Sequence, residues 1–149
     1  MRRPARNFLF RSTVRSELQR LEEQVMTDTI LVVENEPFLL IDLSEQLCAA
    51  GYDVIEAASG EAARRILQNC AQEDGQRVDI VVTDVRMPGA LDGIGLARWV
   101  RSTCNLPVIL VSGEMTIRDL PGVADARFAK PVDMGRLLAK IAELLGRQS

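Results

Sequence analysis

Five short apolar runs, each followed by a stretch with helical spacing, constrain this chain more than any other feature. The runs are Thr29–Val33, Asp53–Ala57, Val78–Thr83, Pro107–Val111 and a weaker Arg127–Ala129. Strands apolar along their whole length, rather than at alternate positions, suit a parallel sheet covered on both faces. Between the runs, apolar residues recur at three- and four-residue steps. The first helix is expected to open at Pro37, to place Leu39, Leu40, Leu43 and Leu47 on one face, and to stop at Gly51. The second follows a Ser59 cap and buries Ala62, Ala63, Ile66, Leu67 and Cys70. A third spans Gly93–Thr103, and the last, from Asp133, presents Met134, Leu137, Leu138, Ile141 and Leu145. Between Ser112 and Lys130 only a short, poor helix fits, because Pro121–Gly122 interrupts it. Repeated βα units joined by right-handed crossovers give an α/β fold, a doubly wound five-stranded parallel sheet with helices on both faces.

Composition narrows what such a fold can do here. The 149 residues suit one domain, and 47% hydrophobic against 4% aromatic residues implies an aliphatic core. No apolar run approaches the ~20 residues that cross a bilayer, so no membrane contact is expected. Residues 1–26 carry six arginines against three glutamates, net +3, whereas the remainder carries 12 basic and 18 acidic side chains, net −6. That asymmetry divides an N-terminal extension, 1–26, from a body, 27–149. An acidic body without a basic helix argues against binding nucleic acid. Cys48, Cys70 and Cys104 are isolated, odd in number and set in apolar helical contexts. They read as reduced core thiols of a cytoplasmic protein. With no histidine in the chain, the usual general base, zinc ligand and phosphohistidine carrier are all missing.

In the extension, Val14, Leu18, Leu21 and Val25 follow a 4-3-4 spacing that makes a narrow apolar seam on a helix capped by Ser12 or Thr13. Two heptads suit assisted homodimerisation rather than an independent coiled coil. A plain extension ahead of a start at Met26 is the alternative, and the interrupting glutamates disfavour a targeting peptide.

The polar residues fall where the apolar runs end. Glu34, Asn35 and Glu36 follow the first run, Asp84 the third, Ser112 the fourth and Lys130 the fifth. In an open α/β sheet, ligands bind beyond the carboxyl ends of the strands, where strand order reverses. Four strands thus deliver carboxylates, a hydroxyl and an ammonium to one edge. Magnesium takes one or two carboxylates together with phosphate oxygens, carbonyls and water, and Glu34 and Asp84 can supply the carboxylates. A metal beside Asp84 keeps it ionised and screens an anionic donor, so the carboxylate can act as nucleophile and become an aspartyl phosphate. Lys130 and the Ser112 hydroxyl, with Mg2+, are placed to offset charge on the transferring phosphoryl oxygens.

At these residues the chain resembles the receiver domain of bacterial response regulators. The matching segments are ILVVENEP, VVTDVRMPG, VILVSG and FAKPV, in that order, within residues 28 to 147. The resemblance implies a flavodoxin-like sheet of order 2-1-3-4-5 and a phospho-acceptor role for Asp84. It implies that Glu34 and Asn35 line the Mg2+ site, that the Arg86 carbonyl is a metal ligand, that Ser112 is the switch residue and that Lys130 bonds the phosphoryl group. A cis Lys130–Pro131 bond is expected. The phosphoryl donor would be a sensor histidine kinase or a histidine phosphotransfer protein. The receiver would accept and release the phosphoryl group itself rather than turn over a substrate.

Each residue also has a plainer account. Asp84 reads alone as a turn or capping aspartate, Glu34 and Glu36 as a solvated loop, Ser112 as a turn former with Gly113, and Lys130 as a surface lysine. Asn35 stands where the family often has a second carboxylate, and Arg127 where it usually has an aromatic, with Phe128 one place later. Those departures motivate a competing reading as a phosphorylation-independent interaction module. A Mg2+ phosphohydrolase is disfavoured because Arg86 occupies the position two residues after Asp84 where such enzymes keep an acid. Neither G-x-G-x-x-G nor a P-loop occurs. With the last helix running nearly to Ser149, the expectation is a single-domain regulator that signals by protein contact or relay.

Overall fold

The structure, a computed structural model, describes residues 27–70, 77–113 and 122–147. The apolar seam at 14–25 lies outside the described residues, as do positions 114–121 of the poor helix expected before Lys130.

The chain runs β1 (Thr29–Val33), α1 (Pro37–Ala49), β2 (Asp53–Ala57), α2 (Gly60–Cys70), β3 (Ile80–Asp84), α3 (Gly93–Trp99), β4 (Val108–Ser112), β5 (Ala126–Ala129) and α4 (Met134–Leu144). All neighbouring strands are parallel and the sheet order is β2-β1-β3-β4-β5. The fold class and strand order match those expected from the sequence.

Side-chain alternation along the central strands divides the core in two. Leu31, Val33, Val81 and Leu110 point to the face covered by α2 and α3, where they meet Ala63, Leu67 and Leu96. Ile30, Val32, Ile80, Val82, Ile109 and Val111 point to the other, where Leu47 of α1 and Leu137 and Ile141 of α4 cover them. Capping sets the helix starts. Glu36 accepts from the Phe38 and Leu39 amides ahead of Pro37, Ser59 Oγ from Ala62, and Asp133 from Arg136.

The structure corrects several local expectations. Leu39 is 44% exposed and Cys48 is exposed, so neither belongs to the core. α1 touches the sheet through the line of Leu40, Leu43 and Leu47, and residues flanking that line face outward. The third helix does not continue as a regular α-helix to Thr103. It becomes a π-helical turn over Val100–Cys104, closed by Asn105 in the left-handed region at φ 54°, whose N–H donates to Val100 O. The fifth strand alternates rather than being covered on both faces, with Ala126 and Phe128 half-buried and Arg127 and Ala129 exposed.

The two ends of the body meet below β1. The Arg147 guanidinium forks onto Asp28 at 2.7 and 2.9 Å, and Thr27 Oγ1 donates to Asp53 at 2.7 Å.

Candidate functional site

A parallel sheet presents all its carboxyl ends at one edge, and here the chain reverses its strand order between β1 and β3. Glu34 follows β1, Asp84 closes β3, Ser112 closes β4 and Lys130 follows β5. Glu34, Asp84 and Ser112 are buried. Lys130 Nζ donates to Glu34 Oε1 at 2.7 Å and lies 3.4 Å from Asp84 Oδ2, so one ammonium joins two carboxylates. The Lys130 N–H donates to Ser112 O at 2.8 Å, and the Lys130–Pro131 peptide that follows is cis. Those contacts place Lys130 over the end of β4.

Each carboxylate is also held by its own backbone. Glu34 Oε2 accepts from the Glu36 N–H at 3.0 Å, and Asp84 Oδ1 accepts from the Val85 N–H at 2.8 Å. Burial pushes the Asp84 carboxyl above its ordinary value, and the charge of Glu34 pushes the same way; Lys130 and the Val85 amide pull back only part of this. Burial disfavours the Lys130 ammonium, but its bond to Glu34 and the charges of Asp84 and Glu34 outweigh that and hold it above its ordinary value. Two acids facing one base leave the site with surplus negative charge at neutral pH.

Relief of that charge yields a measurable effect. Asp84→Asn keeps an oxygen for the Val85 amide while removing one buried negative charge. It is expected to stabilise the metal-free protein by about 1 kcal/mol, seen as a rise of a few degrees in thermal unfolding.

The sequence placed all four strand-end residues correctly at this edge, and the structure brings Glu34, Asp84 and Lys130 into contact. Asn35 sits exposed in the turn between Glu34 and the capping Glu36, and Arg86 is exposed in the loop after Asp84. Arg127 and Phe128 point to opposite faces of β5, and Phe128 packs against the α1 and α4 side. A one-residue offset along a strand reverses the face, so Phe128 does not substitute for an aromatic at position 127.

Three residues that sequence reasoning missed shape the acceptor strand. Gly93 opens α3 with its N–H on Val85 O at 2.9 Å, and a Cβ there would run into the Asp84 carbonyl and lie 2.7 Å from Val85 Cα. Glu61 of α2 accepts from the Ala90 N–H at 2.8 Å and ties down the loop between Asp84 and α3. Thr83 Oγ1 donates to Asp84 O at 2.9 Å. Only Asp92, whose side chain caps α3 by accepting from Gly95, had a local signal. Gly93 and Glu61 act through the approach of one element to another, and Thr83 through the backbone of its own strand end.

Beside the three charged groups lies a cleft of about 410 Å3 between α1 and the start of α4, walled by Leu39, Leu43, Val111, Val132 and Met134. The donor set fits a hard dication. Magnesium needs only one or two carboxylates, and two buried ones converge here with a single lysine between them. No group of three or more His, Cys, Asp or Glu placed to hold a metal ion occurs among the described residues, so Glu34 and Asp84 would need carbonyl, amide or water oxygens to complete a shell.

Comparison with known proteins agrees with this geometry. The family model for the response regulator receiver domain matches residues 30–142. The chain is 33% identical over 126 residues to the transcriptional regulatory protein AruR of Pseudomonas aeruginosa, covering 82% of this chain and 51% of AruR. It is 39% identical over 127 residues to the sensor kinase CckA of Brucella abortus, covering 80% of this chain and 13% of CckA. The chain therefore spans about half or less of these curated relatives. Among solved structures, the response regulator TrrA of Thermotoga maritima, in complex with Mg2+-BeF, superposes with a TM-score of 0.70 at 29% identity, covering 79% of this chain and 99% of TrrA.

Proposed function

The chain belongs to the response regulator receiver domain family, and from that premise we propose that it accepts a phosphoryl group on Asp84 and passes the signal on by protein contact or relay. The observation that carries this reading is the convergence of Glu34, Asp84 and Lys130, from three different strand ends, on one point. The donor is a histidine kinase or histidine phosphotransfer protein. In the transfer, an Asp84 carboxylate oxygen bonds to phosphorus while the phosphorus–nitrogen bond to the donor imidazole breaks. The protein is then both substrate and product, so it is not a turnover enzyme.

Glu34, Asn35, Asp84 and the Arg86 carbonyl would hold Mg2+. When bound, Mg2+ would neutralise the surplus carboxylate charge and screen the incoming phosphoryl oxygens. Lys130 is positioned to follow the phosphoryl group, since its ammonium already reaches Asp84 Oδ2 at 3.4 Å. Ser112, buried at the end of β4, is the hydroxyl that would respond to the new charge of about −1.5 to −2. The receiver unit is the body from residue 27, and residues 1–26 are an extension to it. The phosphotransfer reading puts the protein in the cytoplasm with its kinase; separately, no described helix is long and apolar enough to cross a membrane.

Intact-protein mass spectrometry after incubation with a small acyl phosphate and Mg2+ tests the reading. One added phosphoryl group is expected, lost with EDTA and absent from Asp84→Asn. No gain at any Mg2+ concentration would instead indicate a phosphorylation-independent interaction module. Because Asn35 brings one charge fewer than a second carboxylate would, Asn35→Asp is expected to tighten Mg2+ binding by about tenfold. Calorimetric titration showing no gain would remove Asn35 from the metal site.

A further inference from the structure

α1 carries an apolar patch that no described element covers. Phe38 is 80% exposed, Ile41 49% and Leu39 44%, on the helix that borders the Asp84 cleft. Phe38, Ile41, Glu45 and Cys48 follow one another at helical spacing along the outward face, and all four are exposed. Single exposed apolar residues are ordinary, but three on adjoining positions of one helix form a surface suited to a partner.

The charge on α1 is one-sided. Asp42 and Glu45 are exposed on it, Glu36 caps it, and Pro37–Ala49 contains no lysine or arginine. The matching occupant has apolar residues at helical spacing together with positive charge. Residues 1–26 have both, the seam Val14, Leu18, Leu21 and Val25 and a net charge of +3, with Arg11, Arg15 and Arg20 interspersed.

Reach also agrees. The extension joins the body at Thr27, which bonds Asp53 just beyond the end of α1. α1 has 13 residues and so runs about 20 Å from there up to Phe38. A helix over residues 12–25 has nearly the same length, about 21 Å. We propose that residues 12–25 dock along α1 of their own chain, with Val14 and Leu18 over Phe38, Leu39 and Ile41, Leu21 and Val25 running on past Glu45 to Cys48, and arginines beside Asp42 and Glu45. The extension then lies at the rim of the cleft beside Asp84. Docking itself needs neither metal nor phosphorylation, so its test is separate from that of the acceptor role.

Cys48 is a built-in reporter, exposed on the outward face of α1. In the full chain, maleimide labelling of Cys48, followed by peptide mass spectrometry, is expected to be about tenfold slower than in the full chain carrying Leu18→Asp and Leu21→Asp. A nitroxide on Cys48, with Cys70→Ala and Cys104→Ala, is expected to broaden the amide signals of residues 12–25 within the same molecule. Broadening seen only between differently labelled copies, with a doubled mass in light scattering, would assign the patch to a second copy and overturn the proposal. Equal labelling rates with no broadening would overturn it as well.

Discussion

Replacing Lys130 with methionine is expected to lower the stability of the metal-free protein by about 2 kcal/mol and to slow phosphoryl acceptance from a small acyl phosphate by about 100-fold. Breaking a fully buried ion pair costs about 3–5 kcal/mol. The lower figure applies here because 24% of the Lys130 side chain still meets solvent. Glu34 and Asp84 would then face each other without their shared cation, and each retains only its backbone donor. The loss depends on pH. In the fold, burial and Glu34 raise the Asp84 carboxyl above its unfolded value, so the folded state binds that proton more readily than the unfolded chain. Stability from Asp84 is therefore full below the ordinary carboxylate range and is lost as pH rises through the raised folded value. Without Lys130 this dependence steepens, so the deficit of Lys130→Met should shrink on moving from neutral pH into the ordinary carboxylate range. Urea unfolding at several pH values measures it; a deficit that grows on acidification would mean that charge repulsion at Asp84 is not the cause. The effect on rate is read separately, by mass spectrometry of the phosphorylated fraction against time.

The second large effect comes from a residue with no side chain. Gly93→Ala would push a methyl group into the Asp84 carbonyl and against Val85 Cα. These are backbone atoms of the acceptor strand and its exit, so nothing flexible can move aside. Overpacking of this kind costs about 1–3 kcal/mol, and the upper end is expected here, as a fall of about 10 °C in thermal midpoint. The displaced carboxylate should also accept phosphoryl groups poorly. Gly135→Ala in the first turn of α4 is the matched control, since its Cβ would come no closer than 3.4 Å to Asp133 Oδ1. It replaces glycine with a better helix former and should be neutral or stabilising by about 0.5 kcal/mol. Equal losses in the two variants would show that the Gly93 contact has no special weight.

The site was legible in the sequence because parallel strands carry their polar residues at their ends. β1 and β2 begin and end where their apolar runs do, and β3 and β4 differ only by one or two residues at their bounds. What stayed hidden depends on how elements meet. A 3.6-residue period marks an apolar stripe on α1 but not how wide a strip the sheet contacts, so Leu39 and Cys48 were assigned inward and lie outward. A π-helical turn has the composition of an α-helix, and Val100–Cys104 has no residue that announces the wider winding. The close approach of Gly93 to Asp84, and the Glu61 tether to Ala90, arise only once α2 and α3 pack on the same face of the sheet.

The clamp of Arg147 on Asp28 brings both ends of the described body to the edge of the sheet farthest from Asp84. Chain can therefore be attached before β1 or after α4 without threading past the acceptor carboxylate. Such a unit can be joined to further chain at either side with both attachment points away from its reactive edge. That portability suits a match of the same body to half of a transcriptional regulator and to a small fraction of a sensor kinase.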